Sequence, residues 1–243
     1  MTSGIEIKGL TKRFSQNVAV DHLNLDIKGN SLFALLGVNG AGKTTLIKML
    51  CCLSRPDEGD AFIHGKSIRS ESMQVKKIIN ISPQETAIAP LLTVRENLEF
   101  SVGIYGHPHS ECRALADGMI NEMSLKEVEK KTARTLSGGW QRRLSIAMAL
   151  ITSPKVLFLD EPTLGLDVIA RRELWNVIQS LRSRMTIILT THYLEEAEAI
   201  ADRIGIMAEG KLKAVGTADE LRQMSGKQNF ENAFIAIAKG EIR

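Results

Sequence analysis

Gly37-Val38-Asn39-Gly40-Ala41-Gly42-Lys43-Thr44-Thr45 constrains this chain more than any other stretch. It matches the pattern G-x-x-x-x-G-K-S/T, which joins a strand to a helix. A loop that holds a triphosphate must bring many backbone N–H groups to one anion. Glycines give the dihedral freedom and close approach that this needs, and Gly37, Gly40 and Gly42 stand in the required places. The loop runs into a helix N-terminus, whose unpaired N–H groups and dipole favour negative charge. Ser31 to Leu36 supplies the apolar run before it, and Thr44 to Leu53 reads as the helix after it. In this setting Lys43 reaches the β- and γ-phosphates of a nucleoside triphosphate, and Thr44 ligates Mg²⁺.

A second chemical feature is Val156-Leu157-Phe158-Leu159-Asp160-Glu161. Asp160 ends an apolar run, where a carboxylate is costly unless it is paired or metal-bound. Its expected task is to hold Mg²⁺ through water. Glu161 then points toward the γ-phosphate as the base that polarises the attacking water. A capping acidic pair before Pro162 is the bland alternative, and the phosphate loop argues against it.

Ile5 to Ile7 and Leu23 to Ile27 alternate apolar and polar residues, as half-buried antiparallel strands do. Asp60 to His64 reads as a further strand. Val156 to Leu159 and Thr186 to Leu189 are continuous apolar runs, expected of strands buried on both faces of a mostly parallel sheet. Between Gln84 and Ser153 the pattern is helical. Thr93 and Glu96 form a capping box, Leu98, Val102 and Tyr105 follow at helical spacing, and Glu111 to Met123 and Arg142 to Ile151 read as helices. Ile169 to Leu181 is a helix between the late strands. Ile204 to Ala208 and Lys211 to Val215 form a hairpin, and Phe230 to Ala238 an amphipathic helix with Phe230, Phe234 and Ile237 on one side. The alternation predicts an α/β fold with an inserted helical block. At 243 residues, 44% hydrophobic and 24% charged, the chain suits one large domain or a core with a subdomain.

The net charge of +3 is too small to argue for nucleic acid. The pairs Lys130-Lys131, Arg142-Arg143 and Arg171-Arg172 read as solvated helix faces. Cys51, Cys52 and Cys112 show no metal spacing and read as free buried or half-buried thiols, the first two within one helix. Met1 to Phe14 holds no apolar stretch of signal-peptide length. No apolar run approaches the roughly 20 residues that span a bilayer. A soluble chain is expected, with any membrane supplied by a partner.

Leu136-Ser137-Gly138-Gly139-Trp140-Gln141-Arg142-Arg143 completes a set that resembles the ATP-binding subunits of ABC transporters over nearly the whole chain. The resemblance implies a P-loop NTPase (RecA-like) α/β core with a mostly parallel sheet, an N-terminal antiparallel β-subdomain and an inserted helical subdomain. It implies residues 1–83 and 154–220 as core, 84–153 as the helical signature subdomain and 221–243 as a C-terminal helical tail. It implies that Phe14 stacks on adenine and that Val38, Asn39, Ala41 and Thr45 serve the nucleotide with the rest of the loop. Gln84 is the implied Q-loop residue, contacting Mg²⁺ or water. Ser137, Gly138 and Gly139 of one copy complete the ATP site of the other. Asp167, in Leu164-Gly165-Leu166-Asp167, belongs to a loop that crosses the dimer interface, and His192 stands near the γ-phosphate. Trp140 departs from the family's usual glutamine, which leaves its place open between an interface anchor and a core side chain. His22, His64, His107 and His109 stay as surface or turn residues.

Leu92 to Leu98, Ala170 to Trp175 and Phe230 to Gly240 resemble the ABC-2 type, which serves export. The implied protein is an ATPase that uses ATP and Mg²⁺, forms a homodimer around two ATP molecules, binds transmembrane permease subunits and no nucleic acid, and sits on the cytoplasmic face of the cell membrane. A non-transport ABC ATPase that regulates a cell-envelope or assembly complex is the alternative. A P-loop kinase or small GTPase would account for Gly37 to Thr45 but not for Ser137 to Gly139 with His192.

Overall fold

A computed structural model describes residues 3–241. The ends of the expected 1–243 domain and of its 221–243 tail, residues 1–2 and 242–243, lie outside the described residues. In chain order the elements are β1 (Ser3–Phe14), β2 (Asn17–Lys28), β3 (Leu32–Leu36), α1 (Lys43–Leu50), β4 (Glu58–Ile63), β5 (Lys66–Ser67), α2 (Ser72–Lys76) and β6 (Ile79–Ser82). There follow α3 (Val94–Ile104), α4 (His109–Glu122), α5 (Gly138–Leu150), β7 (Val156–Asp160), α6 (Val168–Leu181), β8 (Thr186–Thr191), α7 (Leu194–Ile200), β9 (Arg203–Ala208), β10 (Lys211–Gly216), α8 (Ala218–Ser225) and α9 (Phe230–Lys239).

Two sheets result. β2-β1-β4-β5 is a four-stranded antiparallel sheet, and β10-β9-β3-β8-β7-β6 a six-stranded one whose only antiparallel neighbours among the described residues are β9 and β10. The continuous apolar strands divide their side chains between two faces. Val156, Phe158 and Ile188 join α1 and the antiparallel sheet on one side. Leu157, Leu159, Ile187 and Leu189 face the helices α3 to α6 on the other. Phe33 and Leu35 of β3 point to the first side, while Ala34 and Leu36 meet Ile204, Ile206, α7 and the Phe230–Ile237 face of α9. α3, α4 and α5 all lie between β6 and β7, which are parallel neighbours.

Thr93 caps α3 as a capping box, accepting from the Glu96 N–H at 3.2 Å while Glu96 accepts from the Thr93 N–H at 2.7 Å. The strands are longer than the alternation predicts, because β1 and β2 continue as an exposed ribbon toward Phe14 and Asn17. β5, β6, α2, α7 and α8 are short, and no expectation covered them as elements. Cys52 does not lie in a helix. α1 ends at Leu50, Cys51 caps it, and Cys52 turns left-handed (φ +55°) as the Leu53 N–H closes onto the Lys48 carbonyl at 2.8 Å. The three cysteines are free, Cys51 and Cys112 buried and Cys52 half-buried. Tyr105 is exposed at the end of α3 rather than packed with Leu98 and Val102.

Glu196 of α7 is wholly buried and accepts from the Trp175 indole N–H of α6 at 3.0 Å, with Thr191, Thr163 and Arg171 also facing it. This group fastens α6 to α7 and so fixes the segment between β8 and α7. Burial pushes the Glu196 carboxyl above the ordinary value of 4.5, against the opposing pull of the neighbouring Thr191, Thr163, Trp175 and Arg171. The folded state therefore holds this proton more tightly than the unfolded chain. That stabilisation is complete below pH 4.5 and is lost as the pH rises through the folded value.

Glu196→Gln, which keeps an acceptor for Trp175, gains stability relative to the parent as the pH rises above 4.5. Urea unfolding at acidic and mildly alkaline pH measures this, and a parent-to-variant difference that does not change with pH contradicts it. Gly59 has φ +72°, and a Cβ there would sit 2.3 Å from the Gly9 carbonyl oxygen where β4 pairs with β1. Gly59→Ala is expected to cost about 3 kcal/mol, from left-handed strain plus overpacking. An unshifted denaturation midpoint would refute this.

Candidate nucleotide site

Parallel pairing brings the carboxyl ends of β3, β6, β7 and β8 to one edge, the usual place for a ligand in an open α/β sheet. A cavity of about 940 Å³ opens there. Its floor is Asn39 to Thr45. Gln84, Glu161, Leu164 and His192 form one wall, and Phe14, Asn17, Val18 and Ala19 the other. Glu209 and Gly210, the turn between β9 and β10, close the rim.

The phosphate loop is braced from three directions. Gly42 has φ +102°, and a Cβ there would lie 2.2 Å from the Ala19 carbonyl oxygen. At Gly37 a Cβ would lie 2.3 Å from the Met207 carbonyl oxygen, so the loop lies directly on β9. The Gly210 N–H donates to the Ala41 carbonyl at 3.1 Å, and the Asp21 N–H to the Gly210 carbonyl at 2.9 Å. Gly40, at φ +81°, completes the turn, while Val38 is exposed beside it. α1 starts at Lys43 with no side-chain cap. The first-turn N–H groups of Lys43, Thr44 and Thr45 therefore remain for an anion. Lys43 Nζ donates to the Gly37 carbonyl at 2.6 Å and to the Val38 carbonyl at 3.2 Å. Burial lowers the Lys43 pKa, and the charges of Glu161 and Asp160 oppose that shift.

Asp160 is buried at the end of β7, and Thr190 Oγ1 of β8 donates to it. The Glu161 N–H is received by both the carbonyl and Oγ1 of Thr190 at 3.1 Å each. Glu161 itself is left-handed (φ +48°), a strained choice for a non-glycine residue. Its Oε2 lies 3.0 Å from His192 Nδ1. The His192 ring contacts that of Tyr193 at 4.3 Å, and the Arg171 guanidinium stacks on Tyr193 at 4.4 Å. Thr44 and Gln84 line the cavity, Asp160 ends β7 next to Glu161, and their hard oxygen donors suit Mg²⁺.

Phe14 is 52% exposed at the cavity wall, not a core side chain. Ser137, Gly138, Gly139 and Asp167 do not line this cavity. Ser137 is the N-cap of α5 with no side-chain capping bond, so its hydroxyl stands free at that helix start. A Cβ on Gly139 would lie 3.1 Å from the Ala170 Cβ, so the segment packs against the first turn of α6. Asp167 caps α6, with Oδ1 accepting from the Ile169 and Ala170 N–H groups at 2.9 Å. Trp140 packs partly into the helical core, with the Arg143 guanidinium 4.9 Å from its ring.

Of the two arginine pairs, only Arg172 is solvated as expected, and the other three members are not. Arg142 is 5% exposed and donates to the backbone of Pro83 and Gln84. Arg143 pairs with Glu173 at 3.1 Å, and Arg171 is half-buried. The sequence carries no signal for these places, since arginine in a helix reads as surface. Thr190 and the Glu209-Gly210 rim were also missed. Only Thr190's position at the end of an apolar run pointed to it.

A family model described as "ABC transporter" matches residues 20–164. The daunorubicin resistance ATP-binding protein DrrA3 of Streptomyces coeruleorubidus is 41% identical over 230 residues, which cover 94% of this chain and 73% of that protein. The phospholipid-transporting ATPase ABCA3 of Homo sapiens is 40% identical over 93% of this chain, which spans 14% of the human protein's length. Among solved structures, the dimeric post-hydrolysis state of the ATP-binding cassette MJ0796, bound to ADP and Pi, superposes with a TM-score of 0.77 at 26% identity, covering 88% of this chain and 98% of that one. With a match over more than half its length and the phosphate loop, signature helix and His192 arranged as described, this chain belongs to the ABC transporter family.

Proposed function

We propose that this chain is the ATP-hydrolysing subunit of a membrane exporter of the ABC-2 type. One observation carries the reading. The phosphate loop, Gln84 and the Glu161–His192 pair converge on a single cavity, while Ser137 is left free at a separate helix start. The ADP and Pi held by the dimeric MJ0796 cassette support the nucleotide and the dimer. The daunorubicin-resistance role of DrrA3 supports export. Residues 1–83 and 154–220 then act as the nucleotide-binding core, 84–153 as the helical signature subdomain and 221–243 as a helical tail.

ATP enters with adenine against Phe14 and its β- and γ-phosphates over Asn39 to Thr45. Lys43 turns its ammonium from the Gly37 and Val38 carbonyls to the phosphates. Thr44, Gln84 and Asp160 would hold Mg²⁺, which would neutralise charge on the triphosphate. Water attacks the γ-phosphorus as its bond to the bridging oxygen breaks and ADP leaves with that electron pair. Glu161 takes the water's proton, and His192, whose Nδ1 lies 3.0 Å from Glu161 Oε2, orients it. Ser137, Gly138 and Gly139 of a second copy close on the γ-phosphate, and Asp167 crosses the same interface. ATP bridges the two halves and favours the closed dimer, and hydrolysis removes the bridge.

No helix of the described residues is long and apolar enough to cross a membrane. A transmembrane permease supplies the path in this reading, with the chain on its cytoplasmic face. The exposed Leu91, Phe100 and Ile104, near the segment that begins at Gln84, offer it an apolar docking surface.

Glu161→Gln is expected to lower kcat by about 10²–10⁴-fold while ATP binding persists and a dimer accumulates on gel filtration in ATP. A wild-type rate in that variant removes Glu161 as the base. Purification of tagged chain from native membranes in mild detergent is expected to yield a stoichiometric multi-spanning partner. A soluble or single-spanning partner instead points to a regulatory, non-transport ATPase.

A further inference from the structure

We propose that Arg142 is a positioning residue that ties the Gln84 backbone to the signature helix, so that the two move as one piece. The proposal rests on the ATPase reading above and assigns a task within that same site.

Arg142 stands four residues after Gly138, hence on the same face of α5. Its side chain is 5% exposed and runs to the start of the segment between β6 and α3. Nη1 donates to the Pro83 carbonyl at 2.6 Å, and Nη2 donates to the Gln84 carbonyl. Two nitrogens of one planar fork thus hold two successive carbonyls, a geometry that lysine cannot copy. Burying an arginine without a hydrogen-bonded carboxylate is costly, so its guanidinium depends on those carbonyls. Asp160 supplies the nearby negative charge.

The same segment is held at two further points. Ser82 and Ser145 hydroxyls meet at 2.9 Å, and Ser145 is again on α5. At the far end Asn97 of α3 accepts from the Ala89 N–H at 2.7 Å and donates to the Ala89, Leu92 and Thr93 carbonyls. The Gln84 backbone has no ladder partner of its own, since regular structure stops at Ser82 and resumes at Val94. Arg142 is therefore the clamp nearest to Gln84, and it springs from the helix that Ser137 caps. A change at Gln84, inside one copy's cavity, is carried through Arg142 to Ser137, which faces the other copy's nucleotide.

The test is a double-mutant cycle on ATP hydrolysis. Arg142→Lys keeps the charge and loses the fork. It is expected to lower kcat by about 100-fold, the effect of misplacing a group by an ångström, with KM for ATP near the wild-type value. In a Gln84→Ala background the same substitution should cost almost nothing more, because the clamp acts through Gln84. Arg142→Gln, whose single amide nitrogen cannot hold both carbonyls, should likewise lower kcat. Losses that simply add in the double variant overturn the proposal, as does a wild-type kcat in Arg142→Lys. If circular dichroism shows both Arg142 variants unfolded, the role is structural only and the proposal fails. A wild-type chain without ATPase activity would instead remove the ATPase reading itself.

Discussion

Burial of the parallel strands on both faces is the constraint on which everything else depends. β3 and β7 are short and almost wholly apolar, β8 is apolar at its centre, and all three are buried, so each must be covered from above and below. Parallel neighbours also run in one direction. Their carboxyl ends therefore meet along a single edge. The residues that follow each strand, Gly37, Glu161 and His192, are brought together by that fact alone. The chemistry is not gathered by surface ion pairs, since most ion pairs among the described residues are exposed and contribute little.

The antiparallel sheet and the β9–β10 turn serve this edge. Ala19 and Met207 both press on the phosphate loop, and they fix why residues 42 and 37 are glycine. α7 plays the matching part for His192. Glu196, Trp175 and Arg171 hold the segment after β8 against α6, and Tyr193 carries that contact to the imidazole.

Motifs whose meaning is local were legible in the sequence. The phosphate loop, the Thr93–Glu96 box and the β9–β10 hairpin each depend on residues within a few positions of one another. The two-sided strands were legible too, because their apolar runs are uninterrupted. What escaped depended on distant partners. Cys52 takes a left-handed turn with no glycine to announce it. Arg142 looked solvated because its acceptors lie 59 and 58 residues away. Tyr105 continued a helical spacing past the point where α3 stops. α2 and α7 are too short to establish a period. The fold class was thus readable from the pattern, and the division of the cavity wall was not.

The left-handed backbone of Glu161 has one further consequence. At φ +48° a glycine would be at ease, and glutamate stores about 1–2 kcal/mol of strain there. With Glu161 as the proposed base, thermal stability and turnover are therefore opposed at this one position. Selection for heat resistance alone would drift toward glycine and silence the enzyme. A glutamate that persists there under selection marks a chain still kept for its activity.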